Sequence, residues 1–435
     1  MKISLINTDF GDVSDSYILP LTMYYLGGIL RSHNYDVKII DPLLYKSKRM
    51  KESYENVLNK IILNSDVLLF TANSFGWASV LEDIKNIRKK GYLGHIILGG
   101  IHPTVAYEYI LSKYNDLIDF ICIGEGEDSL IKLLKKIKEG DTLIDIPGIA
   151  YKKDNMIQYK FNDSFIELKE IDYTSAYDLV PLGAYNTYTL ECSRGCYGNC
   201  AFCSILCKRK WRAHSIENIK ANILAIKKHA ELEKNEISII TTDDCFTSNT
   251  KWVKDVITLF HEEGIADNFL HFEARVNQLL NPEIMNSIKL LPNYQIQVGV
   301  ECGYDEGLKK IRKGFTIDNL IELCNKLENE NMLDKVFFSF IIALPHESFD
   351  DCLKTIKFER FIKVRYGIKT VLNFWIPLPS DCYYSLFDDS KEIDYSIYDN
   401  KNWQMDIEIF KKTHPNLTAD EYEILRNQVK ITRSV

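Results

Sequence analysis

Apolar and polar positions alternate in blocks along the first 140 residues of the chain. Continuous apolar runs stand at KISLINT (2–8), DVKIID (36–41), DVLLFTA (66–72), HIILGG (95–100) and DFICIG (119–124). Amphipathic stretches of helical period lie between them. Continuous β-branched runs separated by helices predict a parallel sheet covered on both faces. Five such units in residues 1–145 predict a doubly wound, Rossmann- or flavodoxin-like α/β domain that takes its ligand at the carboxyl ends of its strands. Residues 146–185 break the rhythm. GIAYKK and MIQYK flanking Asp154–Asn155 read as a hairpin, followed by an irregular acidic connector that marks a domain boundary. Alternation resumes over 186–380, with strands expected at TYTLE, ISIITTD, FLHFEARV, YQIQVGVE, KVFFSFIIAL and TVLNFWIPL, and helices at 215–234 and 249–264. Six strand–helix units in series predict a partial (βα)6 barrel of TIM type, two units short of closure. Residues 381–435 read as a short, polar, irregular C-terminal segment ending in a helix at NLTADEYEILRNQ.

Composition narrows the classes. The chain has 435 residues, 46% hydrophobic and 26% charged, with a net charge of −8. It can bury a sizeable core, and a nucleic-acid binder relying on a broad basic face is disfavoured. The start, MKISLINTDFGD, lacks the layout of a secretory signal, and no apolar stretch approaches the roughly 20 residues of a membrane span. A cytosolic protein with reduced thiols is the expectation.

Against that background the thiols are concentrated. Five of 11 cysteines fall in ECSRGCYGNCAFCSILC, residues 191–207. Cys196, Cys200 and Cys203 form a Cys-x3-Cys-x2-Cys set directly after the first barrel strand. A structural zinc site wants a second separated pair, which does not follow, and a redox pair would leave Cys196 unexplained. Three thiolates on a tight loop suit a 4Fe–4S cluster with one iron left open. Cys192 and Cys207 read either as small buried residues or as an unusual fourth ligand. In the front domain no Gly-x-Gly-x-x-Gly follows the first strand, which disfavours a dinucleotide site. LGGIHPT (98–104) and IGEGED (123–128) each follow a strand, either as tight turns or to let a flat ligand approach closely.

CYGNCAFC, with Phe202 before the third cysteine, resembles the signature of the radical S-adenosylmethionine (SAM) superfamily, and Ser193-Arg194-Gly195 before it matches a common form. FEARVNQL (272–279), VGVECGYDEGLKKIRKG (298–314) and FIIALPHES (340–348) resemble later segments of that family, with Cys302 where serine is usual and Ala343 and His346 where glycines are usual. The Gly99-Gly100-x-His102-Pro103-Thr104 and Gly124-Glu125-Gly126-Glu127 pair resembles the cobalamin-binding domain that precedes many radical SAM barrels. The resemblance implies that Cys196, Cys200 and Cys203 ligate the cluster, that SAM binds its open iron, and that one electron through the cluster yields a 5′-deoxyadenosyl radical. Arg275 and Glu301 are candidates for SAM's charged groups, or line the barrel as an ion pair. Asp243, with Asp244, would touch ribose or substrate, or cap the helix near Thr247 and Asn249. Thr71, Ser74, Gly99, Gly100, Gly124, Glu125 and Gly126 would flank cobalamin. Asp9-Phe10-Gly11 lacks the histidine that ligates cobalt elsewhere, and His102 reads as a turn residue. The function so implied is methyl transfer to an unactivated carbon or phosphorus of a small-molecule or peptide substrate, with a flavodoxin or ferredoxin-type electron donor and no nucleic acid or membrane. The alternatives are radical oxidation, cyclisation or rearrangement, and a non-catalytic cobalamin or redox sensor. A methylthiotransferase would carry cluster cysteines in its front domain, where the first cysteine is Cys122.

Overall fold

The computed structural model describes all residues except 9–17, 142–143, 163–164, 172, 208, 234–236, 380–392 and 434–435. The apolar runs become strands β1 (Lys2–Ile6), β2 (Asp36–Ile40), β3 (Val67–Thr71), β4 (His95–Gly99) and β5 (Phe120–Cys122). They pair in parallel in the order β2-β1-β3-β4-β5, the doubly wound order with its switch point between β1 and β3. Leu5, Ile6, Leu68, Ile96 and Leu98 are fully buried, as a sheet covered on both faces demands. The hairpin β6 (Ile149–Lys153) and β7 (Met156–Tyr159) does not stand apart as a connector. Ile121 and Cys122 pair antiparallel with β6, so the hairpin extends the sheet to seven strands. Asp154 and Asn155 take the left-handed conformation its two-residue turn requires.

The six expected barrel strands are β8 (Tyr188–Leu190), β11 (Ser238–Thr241), β12 (Phe269–Ala274), β13 (Tyr294–Glu301), β14 (Val336–Ile342) and β15 (Lys369–Phe374), in chain order across one sheet. A short antiparallel pair, β9 (Ser193–Arg194) and β10 (Arg212–Ala213), intervenes. β11 to β15 form a parallel ladder. Burial alternates along β13: Tyr294, Ile296 and Val298 are buried, while Gln295, Gln297 and Gly299 are half-buried. One face therefore packs on helices and the other lines the more open interior of a partial barrel. Helix starts follow from caps: Asn249 accepts from Trp252 N–H (3.0 Å), and Ser348 and Thr316 close capping boxes.

The chain divides into two compact units. The first comprises Met1–Thr189, Ala221–Asn235 and Ile393–Trp403, and the second comprises Leu190–Lys220, Glu236–Glu392 and Gln404–Val435. The stretch after β15 ends in the expected helix, Ala419–Arg433, and where it was expected to be irregular it contributes buried Tyr398 and Trp403 to the first unit and carries a helix at Ile407–Thr413. No described helix is long and apolar enough to cross a membrane.

Candidate functional site

The cysteine loop is fixed at its base. β9 and β10 close residues 193–213 into a loop, and Gly195 (φ +89°) lies where an added Cβ would stand 2.0 Å from the Lys210 carbonyl oxygen. Two carboxylates from the end of β11 brace the same stretch. Asp244 accepts from Gly195 N–H (2.7 Å), and Asp243 accepts from Cys192 N–H (2.9 Å) and the Ser193 hydroxyl. Asp243 is 2% exposed, and burial pushes its carboxyl up to about 8. Both of its oxygens serve the loop, and the helix-cap reading is corrected. Asn249 is the cap. Glu191 and Arg194 pair through two contacts of 2.7 and 2.9 Å. Burial raises the Glu191 carboxyl, but the Arg194 charge outweighs it and holds the group down near 2.

Within this frame the thiols meet positive partners. Cys196 and Cys200 are buried and Cys203 is partly exposed. Gly198 N–H donates to Cys196 Sγ (3.2 Å), and Arg275 donates to Cys200 Sγ (3.1 Å) through Nη1 and to the Lys313 carbonyl (2.6 Å) through Nη2. Cys203 N–H donates to the Cys200 carbonyl (3.3 Å), turning the loop back. A hydrogen bond from Cys245 lowers the Cys196 thiol to about 6 against the effect of burial, with help from Gly198 N–H and Arg275. Cys245 was not singled out in the sequence. It is buried at the end of β11, with Sγ 2.9 Å from Gln278 Oε1. Cys192 is fully buried and its thiol is pushed well up by burial, then by Asp243. Cys207 Sγ accepts from Arg212 (3.3 Å). Both lie in the loop's frame.

Arg275 and Glu301 do not pair with each other. Glu301 (φ +73°) is buried against Lys313 Nζ (3.3 Å), and the same ammonium lies 5.7 Å from the centre of the Phe202 ring. Lys313 is thus the link that sequence reading missed. Burial, then the Glu301 and Asp244 charges, push the Glu273 carboxyl up to about 7. Glu273 stands among these charged groups, and its own side chain is exposed. Ala343 (φ +59°) adopts the left-handed backbone that a glycine would there.

No group of three or more His, Cys, Asp and Glu among the described residues stands in metal-holding geometry. The fit to an iron–sulfur cluster lies in donor chemistry: three thiols on one loop, one held down in pKa, with an N–H and a guanidinium directed at sulfur. Hydrogen bonds to sulfur are the partners such clusters use.

In the first unit the two glycine segments meet. The Thr104 hydroxyl donates to the Gly100 carbonyl (2.8 Å) and accepts from Gly124 N–H (3.0 Å). Gly100 (φ +96°) is locked, since a Cβ would stand 2.6 Å from the Ala72 carbonyl oxygen and 2.8 Å from Thr71 Oγ1. Gly99 and Gly124 have nothing within 4 Å of an added Cβ, leaving open space that a flat ligand would use. Other candidates serve the fold. Ser74 is buried with its hydroxyl on His102 Nδ1 (3.1 Å), Glu125 accepts from Ile166 N–H (2.8 Å), and Gly126 precedes helix Glu127–Glu139. His102 is fully buried and stacked on Trp77 (5.2 Å), and burial lowers its ring to about 3, so it is neutral and turned inward. Asp9-Phe10-Gly11 lies outside the described residues.

The second unit is thus a partial barrel that carries a loop of three cysteines, and the first is a doubly wound sheet with paired glycine turns. Comparison with known proteins agrees. Residues 190–358 match the Radical SAM superfamily and residues 8–134 match the B12 binding domain. The two matches together cover more than half of the chain, which carries a radical SAM domain and a B12-binding domain. Its cofactors are accordingly a 4Fe–4S cluster, SAM and cobalamin. An uncharacterized methyltransferase of Pyrococcus horikoshii is 27% identical over 364 residues, 81% of this chain and 75% of that protein. The fold is similar to that of OxsB, a cobalamin-dependent SAM radical enzyme solved with aqua-cobalamin and SAM (TM-score 0.70, 19% identity, 95% of this chain). It is also similar to that of TsrM from Kitasatospora setae, a radical SAM methyltransferase (TM-score 0.67, 15% identity, 88% of this chain and 74% of that one). The chain spans 56% of the length of the OxsB chain.

Proposed function

We propose that the enzyme is a cobalamin-dependent methyltransferase acting on an unactivated carbon, or on phosphorus, of a small-molecule or peptide substrate in the cytoplasm. The observation that carries this reading is the positive setting of the Cys196 and Cys200 sulfurs on a radical SAM barrel, in a chain that also has a B12-binding domain. Bound together, the cofactors supply a radical for hydrogen removal from substrate and a methyl group to replace it. Cys196, Cys200 and Cys203 would hold the cluster. Arg275 Nη1 would offset negative charge on the sulfurs while Nη2, anchored on the Lys313 carbonyl, fixes its plane. Glu273 and Glu301, held near Lys313, offer carboxylates to the ammonium of SAM. Gly99 and Gly124 would admit cobalamin against the strand ends, and the buried His102 offers cobalt no ligand.

The test supplies SAM with a deuterated methyl group, with cobalamin added or withheld, under anaerobic conditions with candidate substrates. A product gaining the labelled methyl only with cobalamin, alongside S-adenosylhomocysteine and 5′-deoxyadenosine in equal amounts, is expected. An oxidised or cyclised product without label would move the assignment to radical rearrangement. Cobalamin binding with no SAM consumption by any candidate would leave a sensor.

A further inference from the structure

Asn73, Ser74 and Phe75 follow β3 closely, at the carboxyl edge of the first sheet beside its switch point, where a doubly wound fold takes its ligand. This loop is held at three points. The Ser74 hydroxyl bonds His102 Nδ1 (3.1 Å), Asn73 Oδ1 accepts from Gly76 N–H (3.0 Å), and the Ser74 carbonyl accepts from Trp403 Nε1 (3.3 Å). Phe75 nevertheless stays 39% exposed, and the buried Trp403 backs it with ring centres 5.9 Å apart. Trp403 ends Ile393–Trp403, the stretch that rejoins the first unit after the barrel strands. Tyr398 of the same stretch stands edge-on to Trp403 (4.9 Å) and to His102 (5.4 Å). The open space at Gly99 lies on the neighbouring strand end. Ala72 N–H donates to the Gly99 carbonyl (2.9 Å) and His102 N–H to the Ala72 carbonyl (3.2 Å), which ties that turn to this loop.

Leaving a phenyl ring in water gains the fold nothing, and holding its backbone still costs conformational freedom. A ring on a fixed loop beside an open ligand edge is preorganised for a flat apolar surface. The cofactor of this unit is cobalamin, whose corrin ring and benzimidazole base are both flat. We propose that Phe75 packs its ring against cobalamin, and that Trp403, brought back from beyond the barrel strands, is the positioning residue that holds Phe75 for it. The inference rests on cobalamin as the ligand of the first unit. It gives the returning stretch a part in cofactor binding that its own composition does not reveal.

The experiment titrates hydroxocobalamin into the full chain, with equilibrium dialysis giving the dissociation constant. Phe75→Ala is expected to weaken binding about tenfold. Phe75→Tyr keeps the ring and should bind as the unmodified chain does. Because the Phe75 side chain is exposed, both variants should melt with the unmodified protein before cofactor is added. Trp403→Phe loses the N–H on the Ser74 carbonyl and is made both alone and together with Phe75→Ala. It should weaken binding severalfold when Phe75 is present and leave it unchanged when Phe75 is already alanine, since a residue acting through another is not additive with it. An unaltered dissociation constant in Phe75→Ala overturns the contact, and so does an equal loss in Phe75→Tyr. Equal weakening by Trp403→Phe in both backgrounds is general damage to the fold and overturns the positioning role, as does no weakening in either. Failure of the unmodified chain to bind hydroxocobalamin is a separate result. It removes cobalamin from the first unit, and this inference with it, whereas the other outcomes leave that assignment standing.

Discussion

Glu347 is fully buried, accepting from Leu344 N–H (2.9 Å) and the Tyr304 hydroxyl (3.0 Å), with the thiols of Cys302 and Cys352 at 4.0 and 3.7 Å. Burial pushes its carboxyl up to about 7 from 4.5. A carboxyl raised in the folded state adds stability below its unfolded pKa, and that contribution is lost as pH rises through the folded value. The window is therefore pH 4.5 to about 7, and the loss is about 3 kcal/mol at one pKa unit per 1.4 kcal/mol. Glu347→Gln keeps an acceptor for Leu344 N–H and cannot ionise. The difference in unfolding free energy between Gln and Glu should shift in favour of Gln between pH 5 and pH 8, and a difference that does not change would show the carboxyl to be unshifted. Cys192 supplies a second check. Its backbone is held in the frame by Asp243 and His214 N–H while its thiol is buried, so Cys192→Ala should retain iron and sulfide after reconstitution, and loss of most iron would make it a ligand. The sequence exposed Cys196, Cys200 and Cys203 because their chemistry is written in local spacing. It hid Cys245 because its partner lies on another strand end with no spacing rule to Cys196, and it hid the Lys313–Glu301 contact because the two lie 12 residues apart across a short helix. Asp243 read as a helix cap for the same reason: the Cys192 N–H and Ser193 hydroxyl that it accepts from lie 51 and 50 residues away in sequence.

Among elements, the strands of both sheets were legible throughout, since β-branched runs bounded by helical periods have few other solutions. What escaped was partnership. β6 and β7 are short and half-exposed, and nothing in their own residues says that β5 is their neighbour. The cysteine loop is the element where local and distant constraints meet. Gly195 has both a left-handed backbone and no room for a side chain, while Asp244 holds its N–H. Gly195→Ala must move the Lys210 segment away and so open the base of the loop. The expected result is near-unchanged far-ultraviolet circular dichroism with iron content after reconstitution reduced severalfold. Full iron content in this variant would mean that the loop is not held at its base.

At the scale of the whole chain, sequence reading laid domains end to end, and the chain instead returns. After the barrel strands, Ile393–Trp403 rejoins the first unit. Its anchor is Asp399, which accepts from Trp77 Nε1 (2.9 Å), the hydroxyls of Tyr109 (2.5 Å) and Tyr114 (2.6 Å), and Lys113 Nζ (2.9 Å). Tyr398 and Trp403 are buried beside it, Tyr398 edge-on to His102 at 5.4 Å. Polar composition concealed this, because a segment with two buried aromatics and one half-buried acid has no period to read. The anchor makes a sharp expectation. Asp399→Ala leaves the Trp77 N–H and the Tyr114 hydroxyl without their acceptor in a buried setting and sets Lys113 loose. The cost of such orphaned donors is roughly 3 kcal/mol. Denaturant unfolding followed by tryptophan fluorescence, in a background where Trp211, Trp252 and Trp375 are replaced by Phe so that Trp77 and Trp403 report, should show the first unit losing stability by that amount. Asp399→Asn, which keeps an acceptor for Trp77 while removing the charge from Lys113, should recover part of it. Equal losses in the two variants would mean that the ion pair, rather than the shared acceptor, holds the segment. No loss in either would mean that Tyr398 and Trp403 hold it by burial alone.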